Sequence, residues 1–436
     1  MVSVVQYRLA YGKDWLVVDI PDSNLSAVLE PDRRPLKKPN PQDNHIIINQ
    51  ALSHPAGSPT IGELIRRKKA RSAVIIVNDI TRPTPYHWML PPLLEAIEAE
   101  GITPEHIKLV IALGIHRPHT LEENRQIFGP EICARYQVIN HNCDDNLISL
   151  GRLSNGWELV INREVAEADL LVATGVVELH YFAGWSGGRK SILPGVASRS
   201  LIEANHRMMD NPKACLGNYS DNPVNDLMLE AARMTGLDFI LNVVTAGKDE
   251  IVYAAAGDFY LAWMEAVKYA EGRNVVYIDQ PADVVIASCG GFPKDINAYQ
   301  AQKALDAAVQ AVKPGGTIIW VAECREGLGE ETFAEWIKSA HCPKDIEKRF
   351  YEAFELGGHK AFAICRILDK ADILMVSSLP EELVKAMFVT PCRDIALALD
   401  LARQKHGHKM SILLMPQAPR IAVRQAGQSI NSSSNQ

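Results

Sequence analysis

Short apolar runs separated by helical patterns constrain the fold of this 436-residue chain more than any other feature of its sequence. Such near-continuous runs are typical of strands buried on both faces of a parallel sheet, because helices cover each face. We predict strands at 73–78, 107–113, 169–175, 239–244, 283–288, 316–323, 372–378 and 410–416. Helices are predicted at 88–101, 198–212, 260–272, 298–312 and 382–388. The alternation indicates an α/β fold with mainly parallel sheets flanked by helices.

The length predicts more than one domain, since roughly 100–200 residues per domain is usual. The boundary is expected near 271–283, after the predicted helix at 260–272. We assign 1–272 to an N-terminal α/β domain and 281–425 to a C-terminal α/β domain. The small polar residues of 426–436 predict a disordered tail. In two-domain proteins of this kind the strand-end loops line a cleft, so we expect the active site in the crevice between the domains.

Composition narrows the function. The net charge of -7 argues against nucleic-acid binding, which usually requires a basic face. The N-terminus has no signal-peptide pattern, and no run approaches the ~18–20 apolar residues of a membrane span. We therefore expect a cytoplasmic protein without membrane contact, whose partner is a small molecule.

Four polar segments directly follow predicted strands. They are NDITRPTP (78–85), GIHRPHT (114–120), VVELHYFAGWSGGRK (176–190) and CGGFPKDINAYQAQK (289–303). Ligands of α/β proteins bind at the carboxyl ends of parallel strands, where such segments would meet. The placement predicts an active site built from these loops.

The third segment combines glycines with a lysine. Gly184, Gly187 and Gly188 precede Arg189 and Lys190. Their backbone N–H groups could hold a phosphate, although the spacing does not meet the GxxxxGK[ST] pattern. The alternative interpretation is a tight strand-to-helix turn with a solvated Arg-Lys pair.

Histidines recur in or beside the same loops. His116, His119 and His180 follow predicted strands, and His206 lies in the predicted helix at 198–212. Each alone is most simply structural, but together they indicate a functional site. The absence of HExxH disfavours a zinc protease-like site. One histidine bound to a metal held mostly by another molecule fits the spacing better.

Charged and polar residues complete the candidates. Asp79 and Arg82 either form a local ion pair, or Arg82 grips a substrate carboxylate with its planar fork. Tyr299 and Lys303, and nearly Gln300, fall on one face of the helix at 298–312. The alternative for that face is ordinary exposure to solvent.

The motifs NDITRP, GIHRPH, ELHYFAGWSGGRKSILPG, IEANHRMM and YQAQK, in this order, resemble those of the lactate racemase family. The resemblance covers nearly the whole chain, and the long central motif is its most specific part. It implies an isomerase, a racemase or epimerase of a 2-hydroxy acid. It also implies a nickel-pincer nucleotide, pyridinium-3,5-bisthiocarboxylic acid mononucleotide with nickel, supplied by cofactor-synthesis enzymes.

The resemblance assigns roles on the cofactor side. Lys190 would form the covalent thioamide to the nucleotide, and His206 would be the remaining nickel ligand. Gly187 and Gly188 would let the backbone lie against the nucleotide.

It also assigns roles on the substrate side. His116 and His180 match the two acid/base histidines, one for each enantiomer, and the Cα hydride would pass to the cofactor to leave a planar 2-oxo acid. Arg82 and Lys303 would hold the substrate carboxylate and oxygen atoms. Tyr299 and Gln300 would lie beside the substrate, and Asp79 would orient its neighbours.

One departure concerns the C-terminal domain, where lactate racemases place a tryptophan near the substrate. The corresponding stretch reads FELGGHKAFAI (354–364), and His359 and Lys360 are the candidates for that place. A substrate more polar than lactate would follow, such as a dicarboxylic or sugar-derived 2-hydroxy acid. The alternative is a glycine turn that starts a helix.

Two other functions compete with this hypothesis. The first is a phosphate-binding α/β transferase that uses SGGRKS. The second is a non-catalytic carrier of the cofactor or nickel, which would have no need for both His116 and His180. The sequence leaves the substrate's identity and the oligomeric state open.

Overall fold

The computed structural model describes residues 3–32, 41–247 and 249–426. Its strands are β1 (Val4–Tyr11), β2 (Asp14–Pro21), β3 (Leu25–Val28), β4 (Ala73–Asn78), β5 (Ile107–Ala112), β6 (Gln137–Asn140), β7 (Leu147–Arg152), β8 (Glu158–Asn162), β9 (Leu170–Val176), β10 (Leu179–His180), β11 (Gly184–Trp185), β12 (Phe239–Gly247), β13 (Glu250–Gly257), β14 (Val275–Ile278), β15 (Ala282–Ser288), β16 (Val312–Val321), β17 (Ala371–Val376), β18 (Thr390–Cys392), β19 (Ile412–Met415) and β20 (Ala422–Gln425). Its α-helices are α1 (Pro41–Ser53), α2 (Ile61–Lys68), α3 (Tyr86–Glu98), α4 (Leu121–Phe128), α5 (Pro130–Arg135), α6 (Arg163–Ala166), α7 (Arg199–Arg207), α8 (Pro223–Thr235), α9 (Leu261–Asn274), α10 (Ala298–Ala301), α11 (Lys303–Ala311), α12 (Glu331–Ser339), α13 (Pro343–Glu352), α14 (His359–Leu368), α15 (Glu381–Ala386) and α16 (Ile395–His406).

The chain forms two compact units, one of Arg33–Gly272 and one of Met1–Asp32 together with Arg273–Gln436. Each unit contains one six-stranded sheet with helices packed on it, which confirms the predicted α/β class. All eight predicted strands are present, each within a few residues of its expected position.

The sheet of the first unit has the order β13-β12-β9-β4-β5-β6 and is parallel except for the pair β12–β13. All seven residues of β9 are buried, as expected for a strand covered on both faces. Helix α3 packs its apolar side against this sheet, with Met89, Leu90 and Leu93 in the same core as Ile75 and Leu109. Because β9, β4 and β5 are neighbours, the loops that follow them meet at one edge.

The sheet of the second unit has the order β18-β17-β16-β15-β19-β3 and is parallel throughout. Helices α11, α14 and α16 pack against its strands. The loop 289–303 follows β15, a central strand of this sheet.

The domain assignment needs one correction, because the first 32 residues belong to the second unit. Strand β3 pairs in parallel with β19, where Leu25 faces Ile412, and the Asn24 amide donates to the backbone carbonyl of Met410 at 2.8 Å. The β1–β2 hairpin contributes Leu9, Val18 and Ile20 to the core of that unit. The assignment to 1–272 missed this because the pairing joins residues far apart in sequence, which leaves no local signal.

Two helices are shorter or more broken than predicted. The helix expected at 298–312 consists of α10 and α11, which meet at Gln302, and the one expected at 198–212 continues past α7 as a short 3-10 turn. The predicted tail, 426–436, lies outside the described residues except for Ala426. Among the helices of the described residues, none has both the length and the apolar character needed to cross a membrane.

Candidate active site

Three loops of the first unit meet at the carboxyl edge of its sheet. They carry Asp79 and Arg82 after β4, His116 after β5, and His180 and Lys190 after β9. The predicted clustering of these side chains is therefore present within this unit.

Asp79 and His116 form a hydrogen-bonded pair. The His116 Nδ1 and the Asp79 Oδ2 are 2.5 Å apart, and the Thr81 hydroxyl donates to the other carboxylate oxygen at 2.8 Å. Burial by itself raises the pKa of Asp79, but the hydrogen bond and charge of His116 outweigh burial and hold that pKa below its usual value. The carboxylate thus fixes the proton of His116 on Nδ1 and leaves the lone pair on Nε2, the arrangement of a general base.

Arg82 pairs with Glu178 rather than with Asp79. The Arg82 Nη1 lies 3.1 Å from the Glu178 Oε1, and the two side chains are 40% and 47% exposed. Of the two alternatives for Arg82, the local ion pair with Asp79 is therefore wrong. His119, in contrast, is structural, because it is buried and its Nε2 accepts from the Ile80 N–H at 3.0 Å.

The three glycines of the central loop serve close packing inside the protein. All have positive φ, and a Cβ on Gly184 would lie 2.0 Å from the Asn218 carbonyl oxygen. A Cβ on Gly187 would lie 2.7 Å from the Asn242 Oδ1. The Gly188 N–H donates to that same Oδ1 at 2.9 Å. The predicted contact of Gly187 and Gly188 with the nucleotide stays a prediction.

A phosphate cradle finds little support in this loop. The backbone N–H groups of Trp185, Ser186, Gly188 and Lys190 all donate to acceptors within the protein. A phosphate bound at these four groups would have to compete with these bonds.

Arg189 organises the loop from inside. Its side chain is 0% exposed and its guanidinium lies 3.9 Å from the Trp263 ring centroid. It donates to the carbonyls of Ser186, Gly187 and Ala183 at 3.1–3.2 Å and to the Asn225 side-chain oxygen at 2.8 Å. Burial lowers the pKa of Arg189 to about 9. The alternative interpretation of a solvated Arg-Lys pair is therefore wrong for this residue.

Arg189→Met is expected to lower the free energy of unfolding of this unit by about 3 kcal/mol, since it leaves several buried acceptors without a donor. Urea denaturation followed by the fluorescence of the buried Trp185 and Trp263 measures the change. Arg163→Met is the control, because Arg163 forms an exposed pair with Glu167 at 3.2 Å and its loss should cost less than about 0.5 kcal/mol. Equal effects of the two substitutions would contradict the role given to Arg189.

Lys190 and His180 are in contact, with the Lys190 Nζ 3.3 Å from the His180 Nε2. The Ala183 N–H donates to the His180 Nδ1 at 3.2 Å, which places the ring proton on Nε2. The Lys190 Nζ must then accept, which requires an uncharged amine. Burial, followed by the charges of Arg82 and Arg189, holds the pKa of Lys190 well below its usual value, in agreement with this geometry.

His180 is also neutral. Burial keeps the pKa of His180 well below its usual value. Its ring stacks on Tyr181, with the centroids 5.1 Å apart, which restrains its orientation.

His206 is oriented as a ligand for a metal would be. Its Nδ1 lies 2.8 Å from the Ile202 carbonyl, which fixes the proton there and the lone pair on Nε2. Burial lowers the pKa of His206 to about 4. Its ring meets Phe182 edge-on at 5.0 Å, and the Lys190 Nζ lies 5.7 Å from the same Phe182 ring. One aromatic ring therefore borders both side chains expected to hold the cofactor.

The predicted substrate-side residues of the second unit lie around the junction of α10 and α11. The Lys303 Nζ donates to the Gln300 Oε1 at 2.9 Å. The Tyr299 side chain is largely buried, and burial raises the pKa of its phenol to about 12, so it stays protonated at neutral pH.

His359 and Lys360 start helix α14, as the glycine-turn alternative expected, and both are buried. Lys360 nevertheless contacts a predicted substrate-side residue. Its Nζ donates to the Tyr299 carbonyl at 2.7 Å and lies 4.2 Å from the Tyr299 ring centroid.

Two residues near the candidate site were not predicted from the sequence. Glu178 stands inside a quoted motif, but no local pattern links it to Arg82, 96 positions away. Asn242 comes from β12 and is joined to the loop only through the fold. Glu178 reaches the residues after β4, and Asn242 reaches the glycine loop, because β12, β9 and β4 are neighbours in the sheet.

Comparison with known proteins places these features in a family. Sequence profiles described as the lactate racemase N-terminal domain and the lactate racemase C-terminal domain match residues 11–217 and 278–423. The chain is 37% identical over 427 residues to a lactate racemase of Thermoanaerobacterium thermosaccharolyticum, covering 96% of this chain and 99% of that one. It is 33% identical over 432 residues to a lactate racemase of Lactiplantibacillus plantarum, covering 97% and 100%.

Comparison with solved structures also identifies a lactate racemase. The lactate racemase apoprotein from Thermoanaerobacterium thermosaccharolyticum matches with a TM-score of 0.87 and 35% identity over 96% of this chain and 100% of that one. A protein from Thermotoga maritima matches with a TM-score of 0.60 and 20% identity over 86% and 100%, a likeness of fold.

Proposed function

The chain belongs to the lactate racemase family and is an isomerase, and on that premise we propose that it interconverts the enantiomers of a 2-hydroxy acid with a tethered nickel-pincer nucleotide. The observation that carries the proposal is the contact of the Lys190 amine with His180 and with the Phe182 ring that also borders His206, in a buried position that lowers the pKa of Lys190. A neutral amine is the form that can be acylated.

The residues of the first unit fit the cofactor. Lys190 offers a nucleophile for the covalent bond, and His206 offers the Nε2 lone pair for the metal. A pincer that supplies three donors of its own needs one more from the protein. When bound, the nickel-pincer nucleotide would supply the centre that takes up and returns the Cα hydride.

The other residues handle the substrate and its proton. Arg82 binds the carboxylate with its planar guanidinium. His116, held by Asp79, presents Nε2 to the hydroxyl of one enantiomer and takes its proton. His180 serves the other enantiomer: acylation of Lys190 removes the amine lone pair that accepts from its Nε2–H, which can then donate to the oxygen of that enantiomer.

The substrate is proposed to be more polar than lactate. The support is Lys360, a buried cation that contacts Tyr299 in the second unit. The roles of Tyr299, Gln300 and Lys303 beside the substrate, and the supply of cofactor by synthesis enzymes in the cytoplasm, are part of the same proposal.

A chiral assay tests the proposal. Protein co-expressed with cofactor-synthesis enzymes and nickel is incubated with single enantiomers of lactate, glycerate, gluconate and malate, beside a known lactate racemase as a control. We expect conversion to the opposite enantiomer or epimer, fastest for an acid with a polar tail. Turnover of lactate alone would contradict the polar substrate, and no turnover by a loaded protein would contradict the racemase.

A further inference from the structure

Glu178 is held firmly between β9 and His180. Its N–H donates to the Ser186 hydroxyl at 2.9 Å, and its carbonyl accepts from the Ser186 N–H at 2.8 Å. Its carboxylate reaches across to Arg82, with Oε1 and Nη1 3.1 Å apart. The backbone bonds therefore place the Glu178 carboxylate within reach of the guanidinium that the proposed function gives to the substrate.

The charges around Arg82 are already balanced. Glu178 offsets the guanidinium, and Asp79 is satisfied by His116. Lys190 and His180 share a contact that requires both to be uncharged. Arg189 is fully buried and donates its hydrogen bonds to the loop carbonyls and Asn225. Once the first carboxylate of a substrate shares Arg82 with Glu178, a second carboxylate placed beside Glu178 would be repelled by its negative charge.

We propose that Glu178 determines the substrate class, by admitting 2-hydroxy monocarboxylates with an uncharged hydroxylated tail and rejecting dicarboxylates. The inference rests on the proposed function and decides between its two kinds of polar substrate. Hydroxyl groups donate to carboxylate oxygens, and the Glu178 carboxylate has a second oxygen that can accept while Oε1 pairs with Arg82. A carboxylate in the same place is repelled, since like charges a few ångströms apart in a partly exposed site oppose binding.

The test compares kcat/KM for malate and glycerate in loaded wild type, Glu178→Gln and Glu178→Asp. Glu122→Gln is the matched control, because Glu122 is a surface carboxylate whose side chain is 83% exposed. We expect Glu178→Gln to raise the malate-to-glycerate ratio about tenfold, mainly through KM, with Glu178→Asp close to wild type and Glu122→Gln unchanged. The change should shrink in 1 M salt, which a purely structural effect would not do.

Binding to unloaded protein gives a readout that does not depend on turnover. Isothermal titration of the same variants with malate and glycerate should show the same shift in relative affinity. An unchanged ratio in Glu178→Gln, or a wild type that prefers malate, would overturn the inference while leaving the racemase intact. A loaded wild type that converts no acid of the panel, lactate included, would instead overturn the proposed function.

Discussion

Lys190→Ala is expected to abolish covalent loading of the cofactor and all racemase activity. Alanine removes the amine that the structure keeps uncharged beside His180, and no substitute nucleophile takes its position. Intact mass and peptide mapping of protein co-expressed with cofactor-synthesis enzymes and nickel measure the loss. The wild type should carry an adduct on the peptide that contains Lys190, and the variant should carry none.

Lys213→Ala is the matched control, because Lys213 is an exposed lysine of the same unit. It should retain the full adduct and full turnover. An adduct that persists in Lys190→Ala would contradict the tether. A wild type without adduct, beside a control lactate racemase that carries one, would also contradict the tether. The SGGRKS loop would then be better explained as a phosphate site, where Lys190→Ala would mainly raise the KM for the phosphate-containing substrate.

His116→Gln and His180→Gln are each expected to lower racemisation by about 10²- to 10⁴-fold, the usual effect of removing a general acid or base. Each histidine serves one enantiomer, so each variant should still oxidise the enantiomer that the remaining histidine serves, although it no longer completes racemisation. Acid quenching after a single turnover should release 2-oxo acid from one enantiomer in His116→Gln and from the opposite one in His180→Gln.

Loading must be measured in the same samples, because His180 contacts Lys190. Rates are therefore divided by the fraction of protein that carries the adduct. His54→Gln, which changes an exposed histidine, should leave both quantities unchanged. Variants of His116 and His180 that racemise within tenfold of wild type would contradict the acid/base roles, and equal 2-oxo acid from both enantiomers would contradict the division between them.

The strands and the loops that follow them were predictable because their signals are local. Near-continuous apolar runs such as AVIIVN gave β4, and the polar segment after it contained Asp79 and Arg82. The place of β3 was not predictable, since its four residues LSAV form a strand only beside β19.

The candidate site, too, has features that were predictable from local sequence and features that depend on the fold. Residue types and motif order pointed to His116, His180, Lys190 and His206, while their states of protonation depend on contacts across loops. Arg189 shows the limit most clearly. An Arg-Lys pair after two glycines favours exposure to solvent, and only the positions of Trp263 and Asn225 reveal why this arginine is fully buried.

The parallel pairing of β3 with β19 affects the order in which the chain can fold during synthesis. The unit of Arg33–Gly272 is contiguous, so it can complete its sheet while the ribosome is still making the rest. The first 32 residues emerge before it and cannot find their place until Ile412 and its neighbours have left the exit tunnel. Until then their apolar hairpin residues, such as Leu9 and Ile20, lack the core that buries them in the folded protein, and exposed apolar surface of this kind favours aggregation.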